Sequence, residues 1–228
     1  MSRKALTTRQ ERRLVNFLDD EFLSLTRNYK KRSETSTNLP TLQLYFAATT
    51  KILSMILQIP PIDPSASLRT AYLLRLTNDV LSSVQGYPAD TENIPFVLDW
   101  LDDLDQAWLV VLQAQTWDPE NGPADLVIGA DEAAAGTKSS PITQTERTRL
   151  KSLLLGGSAT LEEWLGGEAP RPSTIIEEDE DEDMEPVADV EGMLERLGVQ
   201  DGFDQLFWRT LQELGALSGV GPPPTLEQ

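Results

Sequence analysis

The stretch from 93 to 115, NIPFVLDWLDDLDQAWLVVLQAQ, constrains the fold of this chain more than any other. At 3.6 residues per turn, Val97, Trp100, Leu101, Leu104, Trp108, Val111 and Leu112 fall on one broad stripe of a helix. A stripe carrying two indoles must be covered by other parts of the chain. Asp99 and Asp102 lie opposite it, with Asp103 and Asp105 on the flanks, so the helix has one apolar face and a negative remainder.

Three preceding segments supply the cover. Thr8 to Glu11 fits a capping box and predicts a first helix from near Arg9, with Leu14, Leu18, Phe22, Leu25 and Tyr29 on its core face and Lys30-Lys31-Arg32 at the negative end of its dipole. Pro40 after Asn38 marks the start of a second, which carries Leu42, Tyr45, Phe46, Ile52, Leu53, Ile56 and Ile59 and must stop at Pro60-Pro61. Asp63-Pro64 opens a third, with Leu68, Tyr72, Leu73, Leu76, Val80, Leu81 and Val84, closed by Gly86-Tyr-Pro88. Long helices, short connections and almost no alternating strand pattern imply an all-α fold, an antiparallel bundle of four long helices over residues 1–116.

Beyond it the grammar changes. Residues 117–140, with Pro119, Gly122, Pro123, Gly129 and Gly136, read as a flexible linker or excursion. Thr143 to Glu146 is a second capping box opening a short helical pair over 141–166, divided at Gly156-Gly157, whose Leu150, Leu153, Leu154, Leu161, Trp164 and Leu165 should dock on the bundle. Residues 167–188 contain EEDEDEDME between prolines; such a run repels itself, has little to bury, and is expected to be disordered. Amphipathic helical pattern returns over 189–217, and 218–228 is a tail.

The charge layout limits the partners. Nine of the 19 Lys and Arg residues fall in residues 1–32 against four acids, leaving that segment at +5 and the rest of the −18 total at −23. Between Arg75 and Lys138 there is no basic residue. A field of that sign repels nucleic acid and anionic lipid, except weakly at the basic N-terminus, and suits a protein partner, particularly a basic one. No run approaches the ~18 apolar residues of a membrane span, and MSRKALTTRQERR is too polar for a signal peptide, so the expectation is an intracellular protein, cytoplasmic or nuclear. With no Cys and no His the chain has no thiolate, no imidazole ligand and no histidine base, which removes the commonest metal sites and the Ser-His and Cys-His mechanisms.

Three motifs have plainer readings. Asp99, Asp102 and Asp103 form a D-x-x-D-D pattern similar to the aspartate-rich motif with which helical isoprenoid synthases hold magnesium. That chemistry needs a second acidic motif and a basic diphosphate clamp; Asn78-Asp79 is a poor substitute, and the cations are missing. A solvated helix face accounts for it, and no metal or cofactor is expected. Gly129 to Ser140 resembles a phosphate loop only superficially, since Thr137 separates Gly136 from Lys138 and no strand precedes it. The N-terminal basic residues lack interleaved aromatics and read as a solvated face.

The candidate site is the C-terminal amphipathic segment. Phe203, Leu206, Phe207, Leu211 and Leu214 share one face, with Trp208 at its border, and an acidic tract precedes them. The composition resembles an acidic activation or partner-docking motif, the form used in helix-in-groove recognition. The plainer reading packs this helix back on its own bundle. The leading expectation is therefore a non-enzymatic helical adaptor or assembly factor that binds a protein partner through these six residues. The alternatives are an acidic nuclear accessory factor in chromatin, transcription, recombination or repair, and an all-helical magnesium-dependent enzyme.

Overall fold

The computed structural model describes residues 4–90, 92–128, 142–165 and 200–215. The acidic tract, the expected helix before Gly198 and the tail lie outside these residues. The described residues form an all-α fold: α1 (Thr8–Lys30), α2 (Leu42–Leu57), α3 (Ser65–Ser83), a 3-10 turn (Val84–Gly86), α4 (Asn93–Leu112), α5 (Gln144–Leu165), α6 (Gln200–Asp204) and α7 (Trp208–Glu213). No described helix is long and apolar enough to cross a membrane.

Side-chain pairs fix the helix directions. Leu6 with Ser65, Asp19 with Arg75 and Arg32 with Gly86 meet in order, so α1 runs parallel to α3. Thr77 meets Trp108, and the buried Arg69 donates from Nη1 to the Gln115 carbonyl at 2.7 Å, so α4 runs back along α3. The Gln43–Asn93 hydrogen bond and the Phe46–Trp100 stack, 5.3 Å between ring centroids, lay α2 parallel to α4. The bundle therefore alternates up and down through its first four helices.

The core follows the predicted stripes closely, because the indoles of Trp100, Trp108 and Trp164 found both apolar cover and an acceptor. Trp108 is fully buried and donates to Thr77 Oγ1 at 3.0 Å; Trp100 donates to Thr50 Oγ1 at 3.1 Å and Trp164 to the Tyr87 carbonyl at 2.8 Å. At one end Tyr29, Tyr45 and Tyr87 cluster with centroids 5.8 to 6.0 Å apart. Burial pushes the Tyr87 phenol up to about 12 and the Tyr45 phenol higher still. Arg32 closes this end with its guanidinium over the Tyr29 ring and its Nε donating to the Gly86 carbonyl at 2.6 Å.

Several expected boundaries move. The first capping box is Thr7 with Gln10, one residue before the expected one. Thr41, not Asn38, caps α2, and Pro64 itself stands at the cap of α3, where the Ser65 hydroxyl accepts from the Leu6 N–H. The second box, Thr143 with Glu146, stands as expected. The expected linker begins with a short antiparallel hairpin, β1 (Thr116–Asp118) on β2 (Gly122–Ala124), in which Asp118 Oδ1 accepts from the Glu120 and Asn121 amides to make the turn.

The larger correction concerns residues 141–166. They contain no helical pair: α5 runs unbroken through Gly156-Gly157. The glycines serve packing, not termination. Leu81 with Gly157, Gln85 with Thr160 and Tyr87 with Trp164 meet in order, so α5 lies along α3, and a Cβ on Gly157 would stand 2.5 Å from Leu81 Cδ1. Adjacent Gly156 faces open space. Gly157→Ala should therefore cost about 1–3 kcal/mol through overpacking, whereas Gly156→Ala should gain about 0.5–1 kcal/mol by restricting the unfolded chain. Urea denaturation of the two variants checks both signs, and equal effects would refute the packing role of Gly157.

Candidate partner-binding site

The C-terminal segment is laid along α4. Gly202 lies beside Leu98, Arg209 beside Asp102, and Thr210 beside Asp105, so the segment and α4 run in the same direction. The continuous amphipathic helix expected over this region is broken. α6 ends at Asp204 and α7 begins at Trp208, with Phe207 between them at φ 56° and ψ 19°, a left-handed conformation rare for an aromatic residue.

Contacts from α4 hold the break. No side chain of the segment caps α7. Asp105 supplies the acceptor instead: its Oδ1 takes the Thr210 N–H at 3.0 Å, and its Oδ2 takes Arg209 Nε at 3.0 Å. The Thr210 hydroxyl returns a hydrogen bond to the Asp105 carbonyl at 3.1 Å. A carboxylate at this position satisfies an orphan helix donor and complements the positive end of the helix. Arg209 Nη2 also pairs with Asp102. Asp105, expected on a solvated flank, is 2% exposed.

The six predicted site residues thus have different surroundings. Phe207, 1% exposed, and Leu211, 6% exposed, are buried in the chain's own core. Phe203, Leu206, Trp208 and Leu214 are half-buried. Phe203 and Leu206 pack on the core and share a small apolar cleft with Ile94 and Val97 of α4 and Leu161 and Trp164 of α5. The segment is docked in cis, and its six residues do not form one free apolar face. Sequence reasoning passed over Asp105, Arg209 and Thr210. One signal was available: Asp105 lies one turn from both Leu101 and Trp108, at the edge of the apolar stripe, where an unpaired carboxylate calls for a donor from elsewhere in the chain.

Docking leaves a groove of about 480 Å³ between α4 and the α6–α7 turn. Leu98, Leu206 and Trp208 give it apolar wall, and Asp99 and Asp102 give it negative charge. Arg209 is the one cation among its lining residues. Burial pulls the Arg209 guanidinium down, but its hydrogen bond to Asp105 and the charge of Asp102 outweigh this and hold it above its ordinary value. Beside the groove, desolvation and then the charges of Asp102 and Asp99 push the Asp103 carboxyl up. Among the described residues no group of acids is arranged to hold a metal ion, and Asp102 of the D-x-x-D-D pattern is engaged by Arg209.

Two outcomes follow from this geometry. Asp105→Ala should cost about 3 kcal/mol, because it strands a buried N–H and a partly buried guanidinium. Hydrogen exchange should then show α7 opening while α1 to α3 keep their protection, and unchanged exchange over 210–214 would refute the capping role. For Asp103, a folded-state carboxyl raised above 3.8 means that its ionised form opposes folding at neutral pH. Asp103→Asn should raise Tm at pH 7, and the gain should fade as the pH falls below the ordinary carboxylate range, where both states are protonated. A gain that persists in acid would exclude this cause.

A family model described as subunit 11 of the general transcription factor TFIIH matches residues 46–215, from within α2 to the residues just past α7. Comparison with curated proteins and with solved structures found no match. Because the match spans well over half of the 228 residues and includes both walls of the groove, the chain belongs to the family of subunit 11 of the nuclear general transcription factor TFIIH.

Proposed function

We propose that this chain is a non-catalytic accessory subunit of TFIIH, which joins the assembly by protein–protein contact on the face built from α4 and the α6–α7 segment. The family match over 46–215 carries the reading, since it encompasses that whole face. The chemical inventory supports it. Without Cys or His the chain has no thiol nucleophile and no imidazole base, and the groove between α4 and the α6–α7 turn is an open one between two helical segments.

The division of labour within the predicted site differs from a free recognition helix. Phe207 and Leu211 anchor the segment in cis, and the half-buried Leu206 and Trp208 are what a partner meets in the groove. A docked, pre-formed face loses less conformational entropy on binding than an unfolded peptide would. In this reading the contact is a surface of the bundle and not an extended tail.

Affinity capture from nuclear extract tests the proposal. The tagged chain should retain other subunits of TFIIH, and Leu206→Ala with Trp208→Ala should lower their recovery about tenfold, the effect of losing one hot-spot contact. Because Leu206 also packs on the core, the double variant's Tm should fall, and Trp208→Ala alone, whose Tm should stay near that of the parent chain, should still lower recovery. Recovery unaltered by the double substitution would move the contact off this face, and capture of no TFIIH subunit by the parent chain would refute the function.

A further inference from the structure

Resting on the reading of this face as the contact surface, we propose that the groove between α4 and the α6–α7 turn receives an arginine-bearing basic segment of another protein, with a guanidinium on Asp99 and against the Trp208 indole. Three observations on the groove point to that occupant. The first is charge. Asp99 has no hydrogen bond or ion pair among the described residues, and Asp102 and Asp103 stand close enough for the three carboxylates to repel one another. No Lys or Arg of the chain lies between Arg75 and Lys138 to neutralise them.

The second is the wall opposite those acids. Trp208 is half-buried with one part turned to the groove, and Leu98 and Leu206 continue the apolar surface. An indole that faces a carboxylate across a groove is a site that a planar guanidinium fills better than an ammonium ion, because it can stack on the ring and bond the oxygens at once. The third is Arg209. The chain already seats one guanidinium in this groove, with Nε on Asp105 and Nη2 on Asp102, so the helix face demonstrably accommodates that geometry. Arg209 uses up Asp105 and part of Asp102, and leaves Asp99 for a second cation. A nucleic acid or an anionic lipid surface would meet like charge here, which leaves a basic polypeptide as the occupant.

The test uses the full chain and a synthetic peptide that repeats Leu-Arg-Ala, titrated by calorimetry at about 150 mM salt, where contacts of exposed charges alone are largely screened. Saturable one-to-one binding is expected. Asp99→Asn should weaken it about tenfold, as expected for the loss of one charge-assisted pair, and a Leu-Lys-Ala peptide should bind more weakly than the arginine form. Neutralising the acids of residues 177–185 should change the affinity by less than about threefold if the groove is the site. Asp99 is exposed and its replacement leaves the fold intact, which an unchanged Tm verifies; Trp208→Phe serves as the second variant and should weaken arginine binding more than lysine binding. Equal affinity of the parent chain and Asp99→Asn would overturn the proposal, as would loss of binding that follows residues 177–185 instead. Peptide binding without capture of TFIIH subunits would refute the function and leave the groove assignment standing; capture undiminished by Asp99→Asn would do the reverse.

Discussion

The fold depends on covering α4. Its burial exceeds what one stripe can explain: Val97, Trp100, Leu104 and Trp108 face the interior, and Leu101, Asp105 and Val110 are buried as well. Helices α2 and α3 cover the indoles, and the remaining flank needs another element. The chain brings back α6 and α7 for this, nearly ninety positions after α4 ends. The hydrophobic effect supplies the attraction through Phe207 and Leu211, but it has no direction. Direction comes from Asp105, whose two oxygens accept one backbone donor and one guanidinium and so fix where along α4 the segment sits.

Much of this was legible in sequence, and the failures share a cause. The stripes of α1 to α4 and the capping box at Thr143 depend on neighbours within a few residues, and these were read nearly in place. Gly156-Gly157 reads locally as a helix stop; only the approach of Leu81 on another helix shows that residue 157 needs to lack a side chain. Phe207 reads as the centre of a helical face, yet its left-handed backbone is held by contacts that reach it from α4. Asp105 reads as a solvated acid because its partners lie about a hundred residues away. The six-residue candidate site was found by composition, but its division into inward anchors and groove-facing residues depends on that break, which no local periodicity contains.

Charge segregation acquires a physical role in this arrangement. Cations concentrate on α1 and acids along α4, on different parts of the same bundle. Cations beside α1 have local work: Arg75 of α3 pairs with Asp19 of α1, and Arg32, just past the end of α1, covers Tyr29. Among the described residues the acids of α4 are compensated on one side only, by Arg209. A surface that carries uncompensated like charge in its free state is stabilised by a partner of opposite sign, and its field also steers that partner during the encounter. For the basic partner proposed above, binding and the relief of repulsion would be one event.

The family match begins at residue 46, and α1 lies wholly before it. Leu18, Phe22 and Leu25 of α1 are nonetheless buried, Phe22 stacks on Tyr72 at 5.9 Å, and Leu6 donates its N–H to the first residue of α3. A fragment cut to the matched residues would lose Tyr45 and the first turns of α2 and would bare one whole side of α3 to water. The stretch that matches the family and the stretch that closes the core are different lengths of this chain, and the cut for an isolated fragment belongs ahead of Leu6.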